Sequence, residues 1–204
     1  DAEMVPGYLE AMAAVVAAEP GAGAVGGPID VGWLGPVPTW YEPLMDHSFN
    51  HLYHGSYRRE IRYPEILYGT NMAFPTGLLR ELGGFAPDLG RNGASLLACE
   101  DGEILLRVAR KAGRAVMYDP GLRVKHLIHP GRLTPEYMRK KAWWGGRSTA
   151  FLEKRYRGTT NPLGSIAAVL QVTLHRVLKP GSRSLAQGNK LAFHLGYLKE
   201  YFLS

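Results

Sequence analysis

Apolar positions along the chain recur with two periods, and the switches between them mark out alternating helices and strands. Residues 6–18 place Leu9, Met12, Ala13 and Val16 at helical spacing behind a first-turn proline, and Pro20-Gly21 ends the run. Residues 22–29 read as a short glycine-rich strand, 66–74 as a second strand, and 75–82 as a short helix closed by Gly83-Gly84. The clearest helical pattern covers 101–112, with Ile104, Leu105, Val108 and Ala112 on one side. Arg107, Arg110 and Lys111 occupy the other side and are expected in solvent. Strands at 115–118 and 123–127 flank an Asp119-Pro120-Gly121 turn. Thr134 is placed to cap a helix over 135–156, and helices near 163–178 and 185–202 follow a break at 158–162.

Between residues 31 and 64 the period is lost and aromatic residues recur from Trp33 to Tyr63. Prolines disfavour a helix in its first part, whereas 44–57 is compatible with one. A segment this long in a compact domain usually serves as a lid or a binding loop. Strands mixed with helices, followed by a helical tail, predict an α/β domain over 1–132 and a helical extension over 133–204.

Charge changes this picture at one end. The 204 residues carry a net charge of +6, and from Arg132 to Arg183 there are eleven Lys or Arg against two Glu. That excess favours an anionic partner, such as a diphosphate, a nucleic acid or an acidic lipid surface; a solvated helix face is the alternative. The single cysteine, Cys99, excludes an internal disulfide, fits a reducing, cytoplasmic setting, and follows Leu96-Leu97-Ala98 as a buried small side chain would. No apolar run is long enough to span a bilayer; 163–178 is too short and contains Gln171, His175 and Arg176. The chain begins at Asp1 without Met and enters a helix almost at once, so a preceding N-terminal portion is expected.

The strongest chemical candidate is Glu100-Asp101 at the start of the 101–112 helix. Carboxylates there lie in the positive end of the helix dipole, which keeps them ionised and gives them a fixed direction. An ionised carboxylate is what a general base needs to take a proton from a sugar hydroxyl. Asp101 as a simple N-cap, and Glu103 as an ordinary first-turn acid, are the structural alternatives. Asp1 and Glu3 are candidates for a hard divalent cation, and His126 for completing its shell, with His129 as competitor. His47, His51 and His54 have helical spacing but no cysteine nearby for a zinc site.

Read in order, Gly69-Thr70-Asn71-Met72-Ala73-Phe74, Leu82-Gly83-Gly84-Phe85, Glu100-Asp101-Gly102-Glu103, Asp119-Pro120 and Val124-Lys125-His126 resemble the second half of a family 2 glycosyltransferase. The resemblance runs from Asp1 to about Leu152, and Trp143-Trp144-Gly145-Gly146-Arg147-Ser148 resembles the helix that follows in many members. It implies a GT-A fold, a Rossmann-like nucleotide-diphospho-sugar transferase domain, here its second half with added C-terminal helices. It further implies Asp101 as catalytic base, with Glu100 positioning the base or the acceptor. Asp1 would be the last acid of the Asp-any-Asp metal motif, or its first with Glu3 as the second, and His126 would help bind metal or diphosphate. Gly69 and Asn71 would meet donor and acceptor sugars, with Trp144 and Arg147 as further diphosphate or acceptor contacts. The implied reaction is an inverting transfer from a nucleotide-sugar donor to a glycan or lipid-linked acceptor, using Mg²⁺ or Mn²⁺. The first strand and the base-binding loop of the family precede Asp1, so the rest of the fold is expected elsewhere in the same polypeptide.

Two other classes stay open: a sugar- or nucleotide-binding relative without turnover, and a basic module stacking nucleic acid on Trp143 and Trp144. A nucleic-acid partner is not expected. For the C-terminal helices, peripheral contact with an anionic membrane, packing on the domain, and a homodimer are the alternatives.

Overall fold

The computed structural model describes residues 2–41, 48–91, 95–156, 162–179 and 184–203. The chain divides into two units, Asp1–Ala86 with Glu100–Pro130, and Pro87–Cys99 with Gly131–Ser204. The second takes in residues 87–99, which a single division at 132 leaves with the first.

The first unit contains β1 (Ala2–Met4), α1 (Tyr8–Ala18), β2 (Ala22–Gly26), β3 (Ile29–Trp33) and β4 (Arg59–Ile61), then β5 (Met72–Ala73), α2 (Thr76–Glu81), α3 (Glu100–Arg110), β6 (Ala115–Tyr118) and β7 (Val124–Ile128). Two small mixed sheets result, ordered β1-β7-β3 and β4-β6-β2-β5. Each contains one parallel pair: β3 with β7, and β2 with β6. Short antiparallel strands, β1 on one and β4 and β5 on the other, complete them. The core gathers Ala24, Val25, Ile29 and Leu67 with Ile104 and Val108 of α3 and Val116, Tyr118 and Leu122 around β6. A Cβ on Gly27, between β2 and β3, would lie 2.2 Å from the Leu122 carbonyl oxygen and 2.4 Å from that of Asp119. Only a bare backbone fits that crossing.

The second half of the element prediction matches closely, and the first half departs at four places. In α1 the buried positions are Tyr8 and Val15, while Leu9 and Val16 are 69% and 54% exposed. The inward stripe is thus one residue, about 100°, from the predicted one. Gly7 enters the helix at φ 81, and the Tyr8 hydroxyl donates to Asn71 Oδ1 at 2.8 Å, which fixes the phase. The 66–74 strand is reduced to β5 because a 3₁₀ turn over Gly69–Asn71 precedes it. The Gly69 and Asn71 N–H groups donate to Asp101 and to Tyr68, so they leave the ladder. Residues 29–33 and 59–61 are strands rather than irregular chain. Within the described residues 48–57 no α-helix forms.

The second unit holds α4 (Pro135–Tyr156), α5 (Pro162–Leu178) and α6 (Leu185–Leu203). Thr134 Oγ1 accepts the Tyr137 N–H at 3.1 Å, the cap expected from sequence. α4 and α6 approach backbone to backbone through glycines. A Cβ on Gly146 would lie 1.9 Å from the Phe193 carbonyl oxygen, and one on Gly196 would lie 2.1 Å from that of Trp143. Glu200 of α6, 6% exposed, pairs with Arg147 of α4, and its carbonyl accepts from Lys154 Nζ at 2.8 Å. Gly146→Ala should therefore wedge these helices apart and cost about 1–3 kcal/mol, read from the urea midpoint with an unchanged slope. A cost near that of a surface substitution would show that the helices separate without loss.

Candidate active site

α3 begins one residue after Cys99, which holds φ 76 and is half-buried rather than sealed in the core. A non-glycine residue in the left-handed region costs about 1–2 kcal/mol. The strain falls directly before the Glu100-Asp101 pair, as such outliers often do at functional sites.

Asp101 sits in the first turn of α3, so it is not the N-cap. Its Oδ2 accepts the Gly69 N–H at 2.8 Å. A Cβ on Gly69 would lie 2.8 Å from Asp101 Oδ1, so only glycine lets the turn seat the carboxylate this closely. Burial pushes the Asp101 pKa up to about 6; the Gly69 hydrogen bond works against that shift, and the charge of Glu100 adds to it. Desolvation outweighs the donors that reach it, so the pKa rises, yet at about 6 the group still loses its proton by neutral pH. An acid with a pKa near neutrality is better matched to proton transfer than an ordinary aspartate. Beside it, Glu100 Oε2 is buried with no hydrogen-bond partner among the described residues. Buried carboxylate oxygens are rarely left so, and an incoming hydroxyl would satisfy it.

Gly69 thus serves as a clamp on Asp101. Asn71 does not face a substrate. It is 2% exposed, and its Nδ2 donates to the carbonyls of Pro28 at 3.0 Å and Leu122 at 2.6 Å while Oδ1 receives Tyr8. Its amide ties the turn to α1 and to the chain around β3 and β7. Asn71→Ala should cost about 2–3 kcal/mol, because both carbonyls and the Tyr8 hydroxyl lose a buried partner. A urea titration showing a loss below about 0.5 kcal/mol would remove this role.

The Gly69–Asn71 turn also touches β7, the strand that carries His126. His126 is buried, and its Nδ1 lies 2.9 Å from the Phe49 carbonyl oxygen. A carbonyl only accepts, so Nδ1 carries a proton towards it, as metal-binding histidines commonly donate one ring N–H to a carbonyl. His129, the competitor, is exposed beyond the strand end. Ala2 of β1 faces His126 in register, and Glu3 faces Lys125. Side chains alternate along a strand, so Glu3 and His126 project from opposite faces and do not share one ion. Asp1 and His47 lie outside the described residues. Among the described residues no group of three or more His, Cys, Asp or Glu could hold a metal. His54 of the helically spaced trio lies 2.9 Å from the Ile66 carbonyl through Nε2.

Sequence reasoning missed the structural core of α3. Glu103 and Arg107, read as an ordinary first-turn acid and a solvent-facing base, form a buried ion pair, with Arg107 Nε 2.8 Å from Glu103 Oε1. Their i, i+4 spacing was the available signal. Asp119 likewise accepts from the Gly121 N–H at 2.7 Å and pairs with Arg58, which holds the turn between β6 and β7. Trp33, Tyr41 and Phe49 pack edge to face at 5.0 and 5.1 Å, with the Phe49 carbonyl on His126. In the second unit Arg147 is taken up by Glu200 and stacks over Trp144 at 4.7 Å. Trp143 lies under Lys199 at 5.7 Å. Arg147 and Trp143 thus engage α6, and both tryptophans are half-buried.

A mixed α/β unit with a half-buried acid pair opening one helix is consistent with a GT-A-type glycosyltransferase domain. The chain belongs to the glycosyl transferase family group 2, whose family model matches residues 1–197. It is 24% identical over 163 residues to the glucosyl-dolichyl phosphate glucuronosyltransferase of Haloferax volcanii, a match covering 76% of this chain and 50% of the relative. The chain thus spans about half the length of that curated relative.

Proposed function

We propose that this chain supplies the acceptor-side, catalytic half of an inverting glycosyltransferase that moves a sugar from a nucleotide-diphosphate donor to a lipid-linked hydroxyl at a membrane face. The observation that carries the reading is the Asp101 carboxylate, half-buried at the start of α3, gripped by the Gly69 N–H and with its pKa raised to about 6. Asp101 takes the proton of the acceptor hydroxyl as its oxygen attacks the anomeric carbon from the face opposite the diphosphate. Glu100 Oε2 accepts a hydrogen bond from the acceptor and sets its direction. The sugar's configuration inverts in one displacement. Positioning and fixed electrostatics supply most of the acceleration.

Of the residues offered for the metal, His126 fits, because its Nδ1–H is held by the Phe49 carbonyl, and Glu3, on the opposite face of the paired strands, does not. Among the described residues, His126 would contribute to holding a Mg²⁺ or Mn²⁺ ion, which would supply neutralisation of charge on the leaving diphosphate. The lipid-linked acceptor is supported by the Haloferax volcanii relative, a glucosyl-dolichyl phosphate glucuronosyltransferase.

Two measurements on the full-length protein test this. NMR of the product should show an anomeric configuration opposite to the donor's, and retention would remove the single displacement. The log of kcat/KM should rise with pH and level off above about 6, because the base must lose its proton to act. Asp101 is the free-enzyme group whose raised pKa sets that limb. A profile flat from pH 4.5 to 8 would exclude it.

A further inference from the structure

We infer that Tyr8 is a positioning residue for the base: its hydroxyl acts through Asn71 and the Gly69–Asn71 turn to hold the Gly69 N–H on Asp101. The inference deepens the proposed function and rests on its assignment of Asp101. The turn is pinned at one end and reaches the carboxylate from the other. At the pinned end the Asn71 N–H donates to the Tyr68 carbonyl at 2.8 Å. The Asn71 side chain meets the carbonyls of Pro28 and Leu122. Carbonyls only accept, so its NH₂ must point to them and its Oδ1 elsewhere. The Asn71 carbonyl oxygen lies against the backbone of Gly26, where a Cβ would come within 2.3 Å of it. At the other end, two residues back, the Gly69 N–H donates to Asp101 Oδ2 at 2.8 Å. Where Asn71 sits therefore decides where the Gly69 N–H points.

Core packing does not require the Tyr8 hydroxyl. The ring is buried in the core of the first unit, and a phenylalanine would bury the same ring. A buried hydroxyl costs free energy unless it is bonded, and this one donates to Asn71 Oδ1 at 2.8 Å. Gly7, at φ 81, and the Tyr8 N–H, donating to the Val5 carbonyl at 3.1 Å, set the ring at the first position of α1. Burial also raises the Tyr8 pKa, so the hydroxyl keeps its proton wherever Asp101 titrates and the tether stays constant. Without the hydroxyl, Oδ1 of a residue only 2% exposed loses its donor, and the amide must shift to find another. The turn follows, and the Gly69 N–H drifts from Asp101. That hydrogen bond lowers the Asp101 pKa against burial and the charge of Glu100. Its weakening therefore has a sign: the carboxyl holds its proton to higher pH, and the base loses its aim.

The test is Tyr8→Phe in the full-length protein, read without turnover and with it. The Asp101 carboxyl is followed by NMR on protein labelled with ¹³C at its aspartate carboxyls, and its signal is assigned by its absence from Asp101→Asn. In Tyr8→Phe its titration midpoint should move up from the wild-type value of about 6 by roughly half a pH unit or more. The rising limb of kcat/KM should move with it, and kcat should fall about tenfold with the donor KM unchanged. Val15→Ala is the control. Val15 is 1% exposed on the same helix, so its truncation loosens α1 without removing the Tyr8–Asn71 bond. Its midpoint and limb should stay at the wild-type values. An unmoved midpoint in Tyr8→Phe overturns the inference. So does an equal shift in Val15→Ala, which would reduce the hydroxyl to a part of helix packing. A moved midpoint with an active Asp101→Asn protein sinks the proposed function and leaves the tether standing. An unmoved midpoint with an inactive Asp101→Asn protein does the reverse.

Discussion

Asp101→Asn is expected to lower kcat by about 10²–10⁴-fold, the usual range for a positioned general base, with little change in donor affinity. The substitution is nearly isosteric, and the amide oxygen of Asn still accepts the Gly69 N–H that holds Asp101 at 2.8 Å. What disappears is the capacity to take a proton. The same substitution should stabilise the fold above neutrality. Burial raises the Asp101 pKa in the folded state from 3.8 to about 6. A group whose folded pKa is raised contributes stability that is complete below its unfolded pKa and lost as pH rises through the folded one. At pH 8 the native protein therefore holds a charged carboxylate in a poorly solvated place, at a cost of about 1–3 kcal/mol that asparagine avoids. At pH 3.5 both side chains are neutral and the difference vanishes. A stabilised, inactive variant whose advantage appears only above pH 4–6 is the signature, measured by urea unfolding at the two pH values alongside the transfer assay. An active variant sinks the base assignment. An inactive variant that is destabilised at every pH points instead to a structural role. That stability is sacrificed where activity needs a desolvated charge is a common trade.

What the sequence revealed, and what it concealed, divides along the same physical line. α3, β6, α4 and the two last helices could be placed from period and caps, because Thr134, Gly113 and the Asp119 turn punctuate long periodic runs. β5 and its preceding turn could not. The apolar run at 66–74 looks like a strand, but the Gly69 and Asn71 N–H groups are diverted to Asp101, 32 residues away in sequence, and to the local Tyr68 carbonyl. Pattern records what a segment buries, and not where its donors go. The phase of α1 fails similarly, since a Tyr8–Asn71 bond across 63 residues decides which stripe turns inward. The candidate site shows both sides. The acid pair was legible from residue type and helix position. The grip of Gly69 and the cross-linking role of Asn71 were not, because both adjoin the same motif and only contact geometry separates them. Arg147 was misread for the complementary reason: a cation at a motif position carries no mark of the Glu200 that takes it up.

Arg107→Met should be the most damaging single substitution for stability, at about 3–5 kcal/mol. Arg107 does two things at once. Its Nε lies 2.8 Å from Glu103 Oε1, and its terminal nitrogens donate to the carbonyls of Leu82 and, at 2.6 Å, Gly84. Those carbonyls follow α2, where the helix end and two left-handed glycines leave acceptors without helical partners. Arg107 thus caps α2 from α3 and neutralises a glutamate that is 1% exposed. Methionine restores most of the aliphatic volume and none of the five donors. Glu103 then stays buried without its guanidinium partner, and desolvation drives it toward its neutral form. The raised folded pKa makes the loss pH-dependent in a defined direction. It should be largest at pH 8, where Glu103 must ionise or unfold, and smaller below about pH 4, where the carboxyl is neutral in both states. Adding Glu103→Gln should recover part of the loss at pH 8, so the two substitutions together cost less than their sum. If the pair were only a surface-type ion pair, each change would cost under about 1 kcal/mol and the double variant would be additive. The consequence reaches the site, because Glu103 lies two residues beyond Asp101 on the same first turn of α3. Loosening that turn frees the carboxylate that Gly69 grips, so Arg107→Met should also lower kcat, and Glu103→Gln in the same chain should restore part of it.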